Sequence, residues 1–212
     1  MTIASEEFNN ISATEEASAS PQQLTYVRTL FYAAIVGAAG GLVATIYYFV
    51  LEQLLEVVWD SGREFIVGWF PVWLPHWHYT WIVATIGGLG VGLCLHFLGL
   101  PGEMAIVIDQ VHDAGRLEPK QTPGMIATSL VSITAGGSLG PEAPLVQING
   151  SLGSWLAEKL NLSLENMRVM TFCGMGAALA AFFGDPIGGP MFALEIPHRR
   201  GLEYYEAIIP AM

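Results

Sequence analysis

Glu142 is the one carboxylate in GGSLGPEAPLVQINGSLG, residues 136–153, a stretch otherwise made of glycine, proline and uncharged side chains. Gly136, Gly137 and Gly140 loosen the backbone ahead of it. Pro141 or Pro144 suits the first turn of a helix, where a missing N–H has no partner to lose. A helix running on through LVQINGSLGSWLAEKL would present unpaired amides and positive partial charge at its start, which together make an anion site. The Glu142 carboxylate is itself an anion, so it can occupy that site and compete with a diffusible one. Helix-end attraction is worth ~0.3–1 kcal/mol, up to ~2 kcal/mol when partly buried. Taking a carboxylate out of water costs several kcal/mol. The attraction alone therefore does not hold the charge, protonation is the escape, and the residue has the chemistry of a gate. The competing reading is an ordinary acidic residue at a helix start.

Other titratable residues point to less. Asp185 in FFGDPIGG reads as a helix cap rather than an ion contact. Glu103 and Asp109 could face a pore, but Asp109 and Asp113 with Arg116 read equally well as a solvated helix face. His96 lies in an apolar segment and reads as a packed histidine. Cys94 and Cys173 sit within apolar runs and suggest no disulfide framework. No catalytic constellation and no metal or cofactor motif accompanies them, so enzymatic chemistry is not expected.

These residues sit in a chain that avoids water. Of its 212 residues 52% are hydrophobic and 13% charged, against roughly 25% charged in soluble domains. Glycine takes 24 positions, and small residues let membrane helices approach closely. A net charge of −11 with eight scattered basic residues argues against nucleic acid. Residues 1–25 carry four glutamates and no basic residue. They read as a disordered acidic tail, not as a signal peptide, which would open with a positive region.

The uncharged run 29–51 is long enough to span a bilayer as a helix, and the helical pattern continues through EQLLEVVW to an exposed end at DSGRE. Five of six tryptophans follow between residues 59 and 81, which places this connection at the membrane interface. A second span covers 81–98. Beyond it, the uncharged runs 121–141, 143–157, 169–184 and 186–194 are punctuated by Gly, Pro and single acids. Several are too short to cross as straight helices, so broken or half-spanning helices lining a cavity are expected. Arg28 precedes the first span and Arg63 follows it, so charge placement along the chain leaves orientation open.

GPEAPLVQINGSLG resembles the signature of the CLC chloride channel and transporter family, G-[KR]-E-G-P-x-V-Q-x-G-x-x-x-G. GLPGEMAIV (99–107) is similar to the family's G-S-G-I-P segment, and CGMGAALAAFFGDPIGGPMFALE (173–195) to its G-A-A-A-G-x-A-A-x-F-x-A-P-x-x-G-x-x-F-x-x-E-E block. The resemblance covers roughly residues 26–212. It implies an all-α, multi-pass integral membrane protein of spanning and half-spanning helices, in the arrangement of one half of an inverted repeat. It also implies chloride or another small anion as the transported species, and dimers of the same chain within the lipid bilayer. Glu142 would take the external gating position, with Gly140, Pro141 and Ala143 around the outer anion. Leu98, Gly99, Leu100 and Pro101 would form the inner end.

Three departures matter. The family's serine falls on Leu98, which removes a hydroxyl donor, and its basic residue before the gate is Pro141, which removes a charge and an amide. The first of the paired acids is kept as Glu195, while the second position is Ile196. In family antiporters the second acid passes protons inward, so passive anion flow is expected, with Glu195 as the candidate relay if coupling persists. The chain resembles the N-terminal half of such a protein, so a C-terminal half or second chain is expected to complete the pore. The alternatives are a proton-coupled antiporter, or a non-conducting half-subunit that regulates or assembles with others. Residues 186–212 are expected to form a subunit contact, with Gly188, Gly189 and Ala193 permitting close packing.

Overall fold

The structure, a computed structural model, describes residues 3–69, 77–99, 108–111, 115–138, 140–197 and 205–212, with side chains from Tyr26 onward apart from residues 66, 67, 69, 77 and 205. Among these residues every regular element is a helix. Helix α1 is Ile3–Leu55, α2 Gly62–Trp69, α3 Trp77–Leu98, α4 Thr122–Thr134, α5 Glu142–Lys159, α6 Leu164–Phe183, α7 Gly188–Glu195 and α8 Ile208–Ala211. The backbone of the acidic segment continues α1 back to Ile3. Among the described residues three stretches are long and apolar enough to cross a membrane: Tyr26–Phe65, His78–Leu98 and Leu164–Phe183. The first two are the spans expected from the sequence. Helices α4 and α7 have 13 and 8 residues, half-spanning lengths as the punctuated runs implied.

The first span does not end at DSGRE. Residues Glu56–Ser61 form a π-helical turn, in which the Gly62 amide donates to the Val57 carbonyl, and α2 continues from there. The wider turn inserts one residue into the helical register, and side chains from distant elements hold it. The Tyr79 hydroxyl donates to the Val58 carbonyl, the Trp59 indole donates to the Thr134 carbonyl at 2.8 Å, and the two rings meet edge to face at 6.0 Å.

Helix α6 is the hub. It packs most heavily on α5, then on α7 and α1, while α3 packs chiefly on α4. Phe172, Met170, Met175 and Leu179 on α6 are fully buried. Its ends are set locally: Ser163 accepts from the Asn166 amide, and Gly184 takes the left-handed conformation at φ 68° that closes it. The close fit is made by glycine. A Cβ on Gly174 would lie 2.0 Å from the Asn149 carbonyl oxygen of α5, and one on Gly189 would lie 2.3 Å from the Ala180 nitrogen.

That last contact corrects an expectation. Gly189 and Ala193 do not face outward for a second copy; both are buried, Gly189 against α6 and Ala193 in the main apolar cluster. Gly188 stands against the Asp185 carboxylate. The exposed positions on α7 are Met191, Phe192 and Glu195. An eight-residue helix must bury its small face against its own hub, because only that face lets the two backbones approach.

Candidate functional site at the start of helix α5

Helix α4 ends at Thr134, and the chain turns through Gly136, at φ 94°, and Gly137. Gly136 lies under the Trp59 ring, 3.3 Å from where a Cβ would stand. The π-helical turn thus braces the loop that leads to Glu142. Pro141 is the cap residue of α5, Glu142 is its first residue, and no side chain caps this start. The first helical hydrogen bond runs from the Leu145 amide to the Pro141 carbonyl at 3.0 Å. Pro141 and Pro144 bring no N–H. The donors of the first turn ahead of Leu145 are therefore the Glu142 and Ala143 amides.

The Glu142 side chain folds back over the loop rather than reaching away from it. A Cβ on Gly140 would stand 2.0 Å from Glu142 Oε2 and 2.5 Å from Oε1, so the carboxylate occupies space that glycine alone leaves open. Glu142 and Ala143 are half-buried, while Pro144 through Ser151 are buried. The site thus sits at the mouth of a helix whose body lies inside the protein. Tyr48 of α1 lies within electrostatic reach of Glu142 and stacks on Phe182 of α6 at 5.8 Å. Tyr48 and Trp59 are neighbours that sequence reasoning did not find; nothing in the spacing of residues so far along the chain signals them.

The other expected residues are dispersed. Leu98 ends α3, and Gly99 follows at φ 92°. Leu98 packs beside Gly124 at the start of α4, whereas Glu142 follows the far end of that helix. Leu100 and Pro101 lie outside the described residues, as does Glu103. Glu195 is exposed at the end of α7, while Ile196 beside it packs against the main apolar cluster. Asp185 is a cap: one carboxylate oxygen accepts from the Ile187 and Gly188 amides at 2.9 Å each. The Gly188 and Ile187 amides hold its carboxyl below the usual carboxylate range. Among the described residues no group of three or more His, Cys, Asp or Glu could hold a metal ion.

The family model described as voltage gated chloride channel matches residues 87–212, more than half of the chain. The chain belongs to the voltage-gated chloride channel family. It is 31% identical over 139 residues to a chloride/fluoride channel protein of Pseudomonas syringae pv. tomato, a match covering 63% of this chain and 30% of that protein. It is 32% identical over 176 residues to a putative chloride channel protein ClcB-like of Ralstonia nicotianae, covering 79% of this chain and 40% of the relative. A putative ion-transport protein YfeO of Shigella sonnei is 24% identical over 174 residues, 81% of this chain and 40% of its own. The matched region thus spans less than half the length of these curated relatives. Family membership together with the three apolar spans makes this an integral, multi-pass membrane protein. The family match begins inside α3 and takes in α4 through α8, so the glycine loop, Glu142 and the α7 acid all lie within it.

Proposed function

We propose that this chain supplies the outer gate of a passive chloride pathway, with Glu142 as a protonatable plug at the start of α5. One observation carries the reading: a carboxylate folded over Gly140 at an uncapped helix start whose first-turn donors are the amides of Glu142 and Ala143. A chloride ion and the deprotonated carboxylate would compete for those donors and for the positive end of the helix. Protonation removes the competing charge and frees the site. Relatives named as chloride channels support chloride as the ion.

Passive flow is favoured over proton coupling by the end of α7. Ile196 is turned into the apolar cluster and cannot carry a proton, and charge crosses hydrocarbon at high cost without a titratable relay. Glu195 is the residue that would restore coupling. Completion of the pathway by a C-terminal half or second chain is supported by an apolar groove of about 450 Å³ between α1, α6, α7 and α8, walled by Gly37, Gly41, Ala177 and Pro190. Such small residues admit a further helix at close range.

The test is chloride flux in liposomes, from the chain alone and with a companion half. Glu142→Gln keeps the shape of the protonated side chain. It should raise flux about five- to thirtyfold at neutral pH, the equivalent of ~1–2 kcal/mol of helix-end competition, and flatten the response to external acid. A mutant that keeps the wild-type pH response overturns the gate. Chloride-driven uphill proton movement that Glu195→Gln abolishes overturns passive flow.

A further inference from the structure

The end of α4 is held from outside at three consecutive residues. Its own closure is a Schellman motif, in which the Gly137 amide donates to the Ser132 carbonyl at 2.9 Å and the Gly136 amide to the Ile133 carbonyl at 3.0 Å. Gly136 takes the left-handed conformation that this closure needs, at φ 94°. The Ala135 amide serves the Val131 carbonyl at 3.0 Å. The Thr134 carbonyl, one of the last four of the helix, takes its donor from another element, the Trp59 indole at 2.8 Å. The same ring covers Gly136, 3.3 Å from where a Cβ would stand. Between them, Ala135 meets Gly87 of α3 so closely that a Cβ on Gly87 would lie 1.9 Å from its own.

Trp59 is itself fixed. It lies in the π-helical turn, whose Val58 carbonyl accepts from the buried Tyr79 hydroxyl, and the two rings meet edge to face. Gly62 makes the room: a Cβ there would lie 2.8 Å from the Val57 carbonyl oxygen and 3.2 Å from the Tyr79 hydroxyl. Two different supports therefore meet at Glu142. Its amide and that of Ala143 belong to α5, whose body from Pro144 through Ser151 is buried. The carboxylate instead lies over Gly140, in the loop that leaves α4 under Trp59.

We infer that Trp59 is the positioning residue of the gate: its indole and ring set the end of α4 so that the loop receives the Glu142 carboxylate. The inference rests on the reading of Glu142 as a plug and adds what holds the plug in place. Loosening Trp59 leaves the helix-start amides on α5 and disturbs only the seat of the carboxylate, so it favours the anion over the plug. Tyr48 of α1 is within electrostatic reach of Glu142, while Tyr47 is bonded to Ser129 of α4. Glu52, Glu56, Asp60, Arg63, Glu64 and Asp185 are exposed at the same end of the bundle, and α4 has no titratable group. The variants below leave these charges in place, so a changed pH response does not come from a changed charge.

The test pairs amide hydrogen exchange of the full chain in detergent with chloride flux in the liposomes used for Glu142→Gln. Trp59→Phe deletes the indole donor and shortens the ring over Gly136. It should speed exchange in peptides covering residues 134–145, whereas Trp155→Phe, at the opposite end of α5, should not. Flux at neutral pH should rise about two- to tenfold, the range that one neutral hydrogen bond corresponds to, and activation by acid should move to higher pH. In a Glu142→Gln background the same substitution should change flux no further. Tyr79→Phe removes one hydroxyl from the turn that carries Trp59; it should act in the same direction and more weakly, and it carries the test if Trp59→Phe does not fold. Unchanged exchange in residues 134–145 overturns the inference. So does faster exchange with a wild-type pH response, or an equal rise in flux with and without Glu142. If Glu142→Gln itself keeps the wild-type pH response, the gate falls, and the exchange result alone decides whether Trp59 positions this helix start.

Discussion

Two carboxylates near helix starts behave differently because their neighbours differ. Asp185 accepts two amides in one cap, whereas Glu142 caps nothing and lies over Gly140. Asp185 is thus committed to structure, whereas the proposed gate role leaves Glu142 available for exchange. The Gly188 and Ile187 amides depress the Asp185 pKa, and the sign follows from linkage: a lowered folded-state value stabilises above the unfolded value of ~3.9 and is lost as pH falls through the folded one. Asp185→Ala should therefore lower the thermal midpoint at pH 7. The gap to the wild type should begin to close below about pH 4 and vanish once the pH has fallen through the lowered folded value, where both proteins lack an ionised cap. Differential scanning fluorimetry in detergent from pH 7 to 3 checks this, and a constant gap between the two proteins would count against the cap.

At the scale of elements, the hub depends on backbone contact more than on large side chains. Gly174 faces the Asn149 carbonyl group so closely that a methyl would sit 2.0 Å from its oxygen and 2.7 Å from its carbon. A backbone neighbour cannot swing aside, so Gly174→Ala must push α5 and α6 apart. Overpacking of this kind costs typically about 1–3 kcal/mol. Gly92 on α3 has nothing within 4 Å of its would-be Cβ, and alanine there should be neutral or stabilising by up to ~1 kcal/mol. Denaturant titration of both variants in the same detergent gives the comparison; equal midpoints would show that the two helices can separate without loss. The same logic explains why replacing Gly189 with tryptophan would break the α6–α7 fit and report nothing about dimers.

For the whole molecule, the fold sorts charge in a way the linear sequence does not. Helix α1 runs parallel to α6, with Gly40 beside Ala177 and Tyr48 stacked on Phe182. Arg28 therefore enters at the end where α6 begins. Arg168 lies against Gly115, and Arg116, Lys120 and Lys159 gather around the same loop. Five of the six described basic residues thus share one face. Arg63 lies at the other, beyond the π-helical turn that braces the glycine loop before Glu142. The positive-inside rule predicts a cytoplasmic α5–α6 turn and a Glu142 end of α5 that points outward. In a background lacking Cys94 and Cys173, Arg63→Cys should react with a membrane-impermeant maleimide in intact cells, and Lys159→Cys only after permeabilisation. The reverse pattern would invert the molecule.

What the amino-acid sequence determined by itself was local in cause. Hydropathy over some twenty consecutive residues marks α1 and α3 as spans, because a bilayer reads only length and polarity. Glycine and proline mark where α5 and α7 begin, because backbone freedom and missing donors act within one turn. The signature around Glu142 names the family for the same reason: its residues are contiguous. The tertiary structure decided what lies between distant residues. Trp59 bonds Thr134 across 75 positions, and Tyr47 bonds Ser129 across 82; no short-range pattern encodes either contact. The inward turn of Gly189, Ala193 and Ile196 depends on which face of an eight-residue helix meets α6, and an apolar stretch with small residues on every side does not announce that face. The gathering of basic residues near the α5–α6 turn likewise exists only because α1, α5, α6 and the 115–121 loop bring single charges, each unremarkable alone, to one end of the bundle.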